Sequence, residues 1–240
     1  MRPGRKSARL LSLPLMLLAG AVSLAVPAAA QNSPGDVLAL YGERIEFDIF
    51  RNGARIGTHR VSFAPEGDAL RVKTDFKLEI GALFITLFEL TYRSDALWDD
   101  GRLVSLAAET DRNGELTRVT ATTGEDGLLV KGPNGVQTAR PGIYPTNHWN
   151  AGVIGSTELV NTITGNVNEV RLQPKGVETV PTNRGPVQAT RYQYVGAIEN
   201  EVWYDAEGRW VAMQFPGDDG SLIELRCRTC FPAQSAEVRP

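Results

Sequence analysis

Turn-forming pairs punctuate this chain so regularly that few folds can accommodate it. Asn52-Gly53, Glu66-Gly67, Asp100-Gly101, Asn113-Gly114, Asp126-Gly127 and Asn134-Gly135 all bring residues suited to positive φ. Lys175-Gly176, Asn183-Arg184-Gly185, Glu207-Gly208 and 217–220 continue the series. Turn signals spaced roughly every 8–15 residues, with alternating segments between them, define the antiparallel all-β pattern. The expected architecture is one large curved antiparallel sheet, an open or half-barrel. At most one short helix is expected, within 151–165, capped by Ser156 with Glu158 in its first turn.

Register follows from the turns. In 41–50, Ile45, Phe47 and Ile49 share one face, with Glu46 and Asp48 on the other. A plain two-residue loop at Asn52-Gly53 would set Ile45 and Phe47 opposite Arg60 and Thr58. An odd loop sets them on the face of Gly57, His59, Val61 and Phe63, so a three-residue loop with a glycine bulge is expected. That register turns His59 toward the apolar face. At Asn113-Gly114 a two-residue type I′ turn pairs Glu109 with Arg118, Ala108 with Val119 and Leu106 with Ala121, matching charge with charge and apolar with apolar. Segment 70–80 alternates cleanly. Segment 81–92, with Leu83, Phe84, Leu87, Phe88 and Leu90, has few polar positions and fits a strand buried on both faces or a short apolar lid helix. Its neighbours favour the strand.

The first thirty residues have the three parts of a secretory signal: a basic start, an apolar core from Leu10, and Ala28-Ala29-Ala30. Pro14, Gly20 and Pro27 interrupt the run, so cleavage after Ala30 and export to a bacterial periplasm are expected. Residues 31–40 read as a linker, 41–230 as a single β domain, and 231–240 as a loose tail. Removing Arg2, Arg5, Lys6 and Arg9 from the 25 basic residues leaves 21 against 28 acidic, a balance of −7. That balance, without a basic stripe, argues against nucleic acid and anionic lipid surfaces as partners. No later stretch is long and apolar enough to span a bilayer.

The alternation breaks at 141–150, between halves 41–140 and 151–230. Two prolines remove backbone donors there, and Tyr144, Asn147, His148, Trp149 and Asn150 stand together. This joint first reads as structural and second as the rim of a binding cavity that His59, Phe84 and Phe88 would also line. No Gly-x-Ser-x-Gly elbow, phosphate loop or zinc helix is present, and neither histidine has a motif-like nucleophile nearby. No cofactor, metal or catalytic residue is assigned. Cys227-Arg228-Thr229-Cys230 follows a strand, which favours a disulfide formed on export over a redox dithiol. In an extended strand the two cysteines would be about 10 Å apart, so a disulfide requires a tight turn.

The signal, Ile56-Gly57-Thr58-His59, Asn147-His148-Trp149-Asn150, 161–165 and Trp203-Tyr204-Asp205, in that order, resemble uncharacterised exported bacterial β-domain families of the domain-of-unknown-function kind. The plan is also loosely similar to the half-barrel lipoprotein carriers of the periplasm. That resemblance implies a concave sheet holding lipid. The expected function is therefore a non-catalytic binding or carrier domain for a lipophilic small molecule. The alternatives are a hydrolase using His148 with a carboxylate, and an interaction module for an envelope protein.

Overall fold

The structure, a computed structural model, describes residues 33–82 and 85–233. The expected signal segment, the tail beyond Ala233 and Phe84 lie outside the described residues. Fifteen strands form one sheet: β1 (Arg44–Arg51), β2 (Ala54–Glu66), β3 (Ala69–Ala82), β4 (Ile85–Asp99), β5 (Arg102–Arg112), β6 (Glu115–Gly124), β7 (Gly127–Gly132), β8 (Gly135–Ala139), β9 (Tyr144–Pro145), β10 (Glu158–Val160), β11 (Val167–Thr182), β12 (Gly185–Gly196), β13 (Glu201–Asp205), β14 (Trp210–Pro216) and β15 (Leu222–Thr229). Two meanders, β8 to β1 and β15 to β9, meet where β1 pairs with β15. Among these strands only the short β9–β10 pair is parallel.

The two edge strands are neighbours in sequence. Four residues, 140–143, link β8 to β9, a reach of at most about 18 Å. Laid flat, fifteen strands would hold their edges roughly 65 Å apart. The sheet must therefore curl until its edges approach, and contacts across the gap show that it does. Asn134 Nδ2 donates to Asn166 Oδ1 at 3.1 Å, and Val167 N donates to Gln137 Oε1 at 3.1 Å. Gly132 and Gly165 meet backbone to backbone, and a Cβ on Gly132 would lie 2.9 Å from Gly165 Cα. Any side chain there would push the edges apart.

Several sequence expectations hold and several need correction. The Asn113-Gly114 turn gives the expected Glu109–Arg118, Ala108–Val119 and Leu106–Ala121 pairs. At Asn52-Gly53 the expected register appears, with Phe47 opposite His59 and Ile45 opposite Val61, but by a different device. The turn has two residues, both at positive φ, and the extra residue is Ile56, bulged between Arg55 and Gly57. The run 81–92 is neither a helix nor one strand buried on both faces. It is divided between the end of β3 and the start of β4, and Leu87 is 65% exposed. Lys175-Gly176 is a bulge within β11 rather than a turn, because β12 pairs with β11 along its whole length.

The helix is not where it was expected. Residues 151–155 form a short 3-10 turn capped by Asn150, not Ser156. After β10, Asn161 Oδ1 accepts from the backbone of Ile163 and Thr164, a local turn that competes with helix. The single α-helix among the described residues, α1 (Pro34–Tyr41), occupies the expected linker. Ser33 caps it, Asp36 returns the capping bond, and Pro34 sits in its first turn. The expected tail also begins packed, since the Arg209 guanidinium lies 3.9 Å from the centre of the Phe231 ring. Cys227 and Cys230 are joined in a disulfide, with Cα atoms 5.8 Å apart.

An aromatic cluster closes one end of the curled sheet beneath α1. Tyr41 stacks on Phe63 at 5.3 Å, Phe63 meets Trp149 at 5.4 Å, and Trp149 meets Trp98 at 5.1 Å. Burying rings of this size supplies the largest share of core burial per residue.

Candidate binding cavity

The strand registers stack the concave face in rungs. Lowest are Leu70 and Trp98, then Phe63, Val72 and Ala96, all filled against the aromatic cluster. Above them the interior opens into a cavity of about 740 Å³, within the ~300–1,000 Å³ usual for small-molecule sites. Its floor is the rung Val61–Thr74 and the rung His59–Phe76–Tyr92–Thr110. Higher come Leu78 and Leu90, then Ile80 and Phe88, with Leu225, Met213, Ile223 and Phe215 opposite. Thr74 and Ile80 are six residues apart, so this wall stands roughly 20 Å tall.

The joint 141–150 plugs the bowl from the side. It interrupts strand pairing, and tyrosines satisfy the carbonyls so released. The Tyr41 hydroxyl donates to Trp149 O at 2.6 Å, and the Tyr204 hydroxyl donates to His148 O at 2.7 Å. His148 Nδ1 and the Tyr194 hydroxyl share a hydrogen bond at 2.9 Å. Burial in this apolar setting pushes the titration of all three phenols up.

The structure brings His59 and His148 into one cavity from opposite halves of the chain. Both rings pack on Trp210, at 5.4 and 5.7 Å between centroids. Burial drives both imidazoles toward the neutral form. His148 falls to about 4, and His59 falls to about 3 through burial and then the nearby His148. Asn147 and Phe88 line the cavity, and Trp149 borders its floor. Tyr144 and Asn150 do not line it. Tyr144 packs on Trp98 below the floor, and Asn150 is spent capping the 3-10 turn.

Sequence reasoning did not single out Thr74, Tyr92, Thr110 or Tyr194. Thr74 did carry a signal: a hydroxyl in an otherwise apolar register from Leu70 to Leu78. At the mouth, Arg51 pairs with Asp219 and Arg112 with Asp218, the second pair at 2.8 Å. Hydrogen bonds from Ser221, and then Arg51, hold the Asp219 carboxyl well below the usual range. A hydrolase built on His148 asks for a carboxylate on its ring. Among the described residues the ring's hydrogen-bond partner is the Tyr194 phenol instead.

Residues 47–228 match the family described as Domain of unknown function (DUF6134). The chain belongs to that family. No curated protein matches its sequence. Among solved structures this DUF6134 chain is similar to a "Beta-barrel-like Protein of Domain of Unknown Function DUF1849" from Brucella abortus. The TM-score is 0.54 at 13% identity, covering 78% of this chain and 95% of that one. A likeness at that identity concerns the fold alone. The matched span includes His59, the plug and Cys227, and stops short of Cys230 and Phe231.

Proposed function

We propose that this chain is a non-catalytic binding or carrier domain of the bacterial periplasm, exported by cleavage after Ala30, that holds a lipophilic molecule inside the curled sheet. The cavity carries this reading. Its volume suits a small molecule, Leu78, Ile80, Phe88, Leu90, Met213, Phe215, Ile223 and Leu225 give it an apolar wall, and its two imidazoles are neutral and hydrogen-bonded or packed against rings. Neutral imidazoles beside aromatic rings suit a container for an apolar guest better than a proton-transfer site. Among the described residues no helix is long and apolar enough to cross a membrane.

Protein purified from the periplasm is expected to start at Gln31, to carry a copurified lipid in its native mass spectrum, and to lose that mass on organic extraction. Leu90→Trp, placed on the upper wall, should cut the bound lipid several-fold by filling the space, with little change in melting temperature. A native mass equal to the sequence mass before extraction, with no uptake of an apolar probe afterwards, would count against a carrier.

A further inference from the structure

We infer that the cavity takes an uncharged amphiphile, polar end first, with a hydroxyl-, carbonyl- or amide-bearing head on the floor and an apolar body along the upper wall. This rests on the carrier reading and names the class of molecule carried. The rungs set the order. Thr74, Tyr92, Thr110 and Asn147 lie at the floor, and the aliphatic and phenyl side chains lie above them. A purely hydrocarbon guest would need none of these polar groups, and burying them is costly unless they find partners.

The floor's hydrogen bonding is incomplete. Asn147 Nδ2, Thr74 Oγ1 and His59 Nδ1 are shut from solvent and lack a partner among the described residues, and Thr74 is almost wholly buried. The Tyr92 hydroxyl reaches Asn147 Oδ1 only at 3.4 Å, at the long end of hydrogen bonding, with Ser94 and Thr162 as its other polar neighbours. Buried polar atoms are nearly always satisfied in native proteins, and a side-chain rotation toward the cavity that these residues line would bring them against a guest's polar atoms.

Charge selects the kind of head. The charged side chains lining the cavity are Arg51, Arg112, Asp218 and Asp219, and all four lie at the mouth, already paired with one another. None faces the floor. A carboxylate or phosphate taken down there would lose its water and meet no counter-charge, whereas a neutral head needs only the amide and hydroxyls present.

The test compares four twelve-carbon probes on the delipidated mature protein near neutral pH: monolauroylglycerol, laurate, dodecyl phosphate, and dodecane delivered from cyclodextrin. Binding is read by tryptophan fluorescence and calorimetry. Monolauroylglycerol should bind about tenfold tighter than each of the others. Asn147→Leu should erase the gap in affinity between monolauroylglycerol and dodecane. Thr110→Val, close to isosteric, should narrow the gap in the same direction and serves if Asn147→Leu does not fold. Tightest binding of laurate or dodecyl phosphate would overturn the uncharged head. Equal binding of all four would overturn the polar-end-first orientation while leaving the carrier intact. Binding of none would remove the carrier and this inference together.

Discussion

Between pH 6.5 and pH 4 the folded protein should lose stability faster than a variant lacking its two histidines. The ordinary imidazole value is 6.5, and in the fold His148 falls to about 4 and His59 to about 3. The sign follows from proton counting. Below pH 6.5 the unfolded chain binds protons that the native state refuses, so stability is full above 6.5 and falls as pH drops toward the folded values. Each imidazole contributes a slope of about 1.4 kcal/mol per pH unit while that difference lasts. His148 is only 7% exposed, and alone it should cost on the order of 3 kcal/mol across the window. His59 is half-buried and should add less. Urea midpoints measured against pH for the wild type and for His59→Gln/His148→Gln check this. The readout is the difference in slope, since the double variant also changes stability at neutral pH. Parallel curves would show that neither ring is desolvated as the fold requires.

What the sequence makes legible here is what local chemistry determines. The hairpin at Asn113-Gly114 is readable because a type I′ turn and matched cross-strand pairs point the same way. The face of His59 is readable because one wrong step would send Ile45 and Phe47 into solvent. The route to that register is not readable, since a bulge at Ile56 and a longer loop give the same pairing. The division of the apolar run 81–92 between β3 and β4 is not readable, because it holds no Asn or Asp to announce a turn. Ser33-Pro34-Gly35-Asp36 was a helix start in plain view, but eight residues rarely hold a helix alone, and α1 persists because Val37 and Tyr41 are buried. The site divides in the same way. Two histidines and a pattern-breaking joint stand out in one dimension. Thr74 and Thr110 look like ordinary strand residues until the rungs are stacked, because threonine suits a β-strand whether or not its hydroxyl has work to do.

One buried ion pair lies behind the plug's anchor, and breaking either half should cost about 3–5 kcal/mol. Asp205 and Arg209 close the β13–β14 turn with side chains only 5% and 10% exposed. Asp205 Oδ1 also accepts from Arg209 N at 2.8 Å and from Glu207 N at 3.1 Å. The guanidinium then reaches outward twice, donating to Leu40 O at 3.2 Å and lying over the Phe231 ring. One side chain thus ties α1, the β13–β14 turn and the segment after β15 together. Next to it, Trp210 N donates to the Tyr41 hydroxyl at 2.9 Å, which in turn holds Trp149 of the plug. Burial lifts the Asp205 carboxyl above its ordinary value despite the cation beside it, so desolvation consumes much of what the pair gains. That fixes how the variants should rank. Asp205→Ala leaves the buried guanidinium with only the exposed Glu207 carboxylate at 3.8 Å, and Arg209→Met leaves a buried carboxylate together with an orphaned Leu40 carbonyl. The double variant Asp205→Ala/Arg209→Met strands no charge and should cost well under the sum of the singles. Chemical denaturation of the three variants supplies the cycle. Additive losses would mean that the two groups do not act as a pair, and that the latch on α1 lies elsewhere.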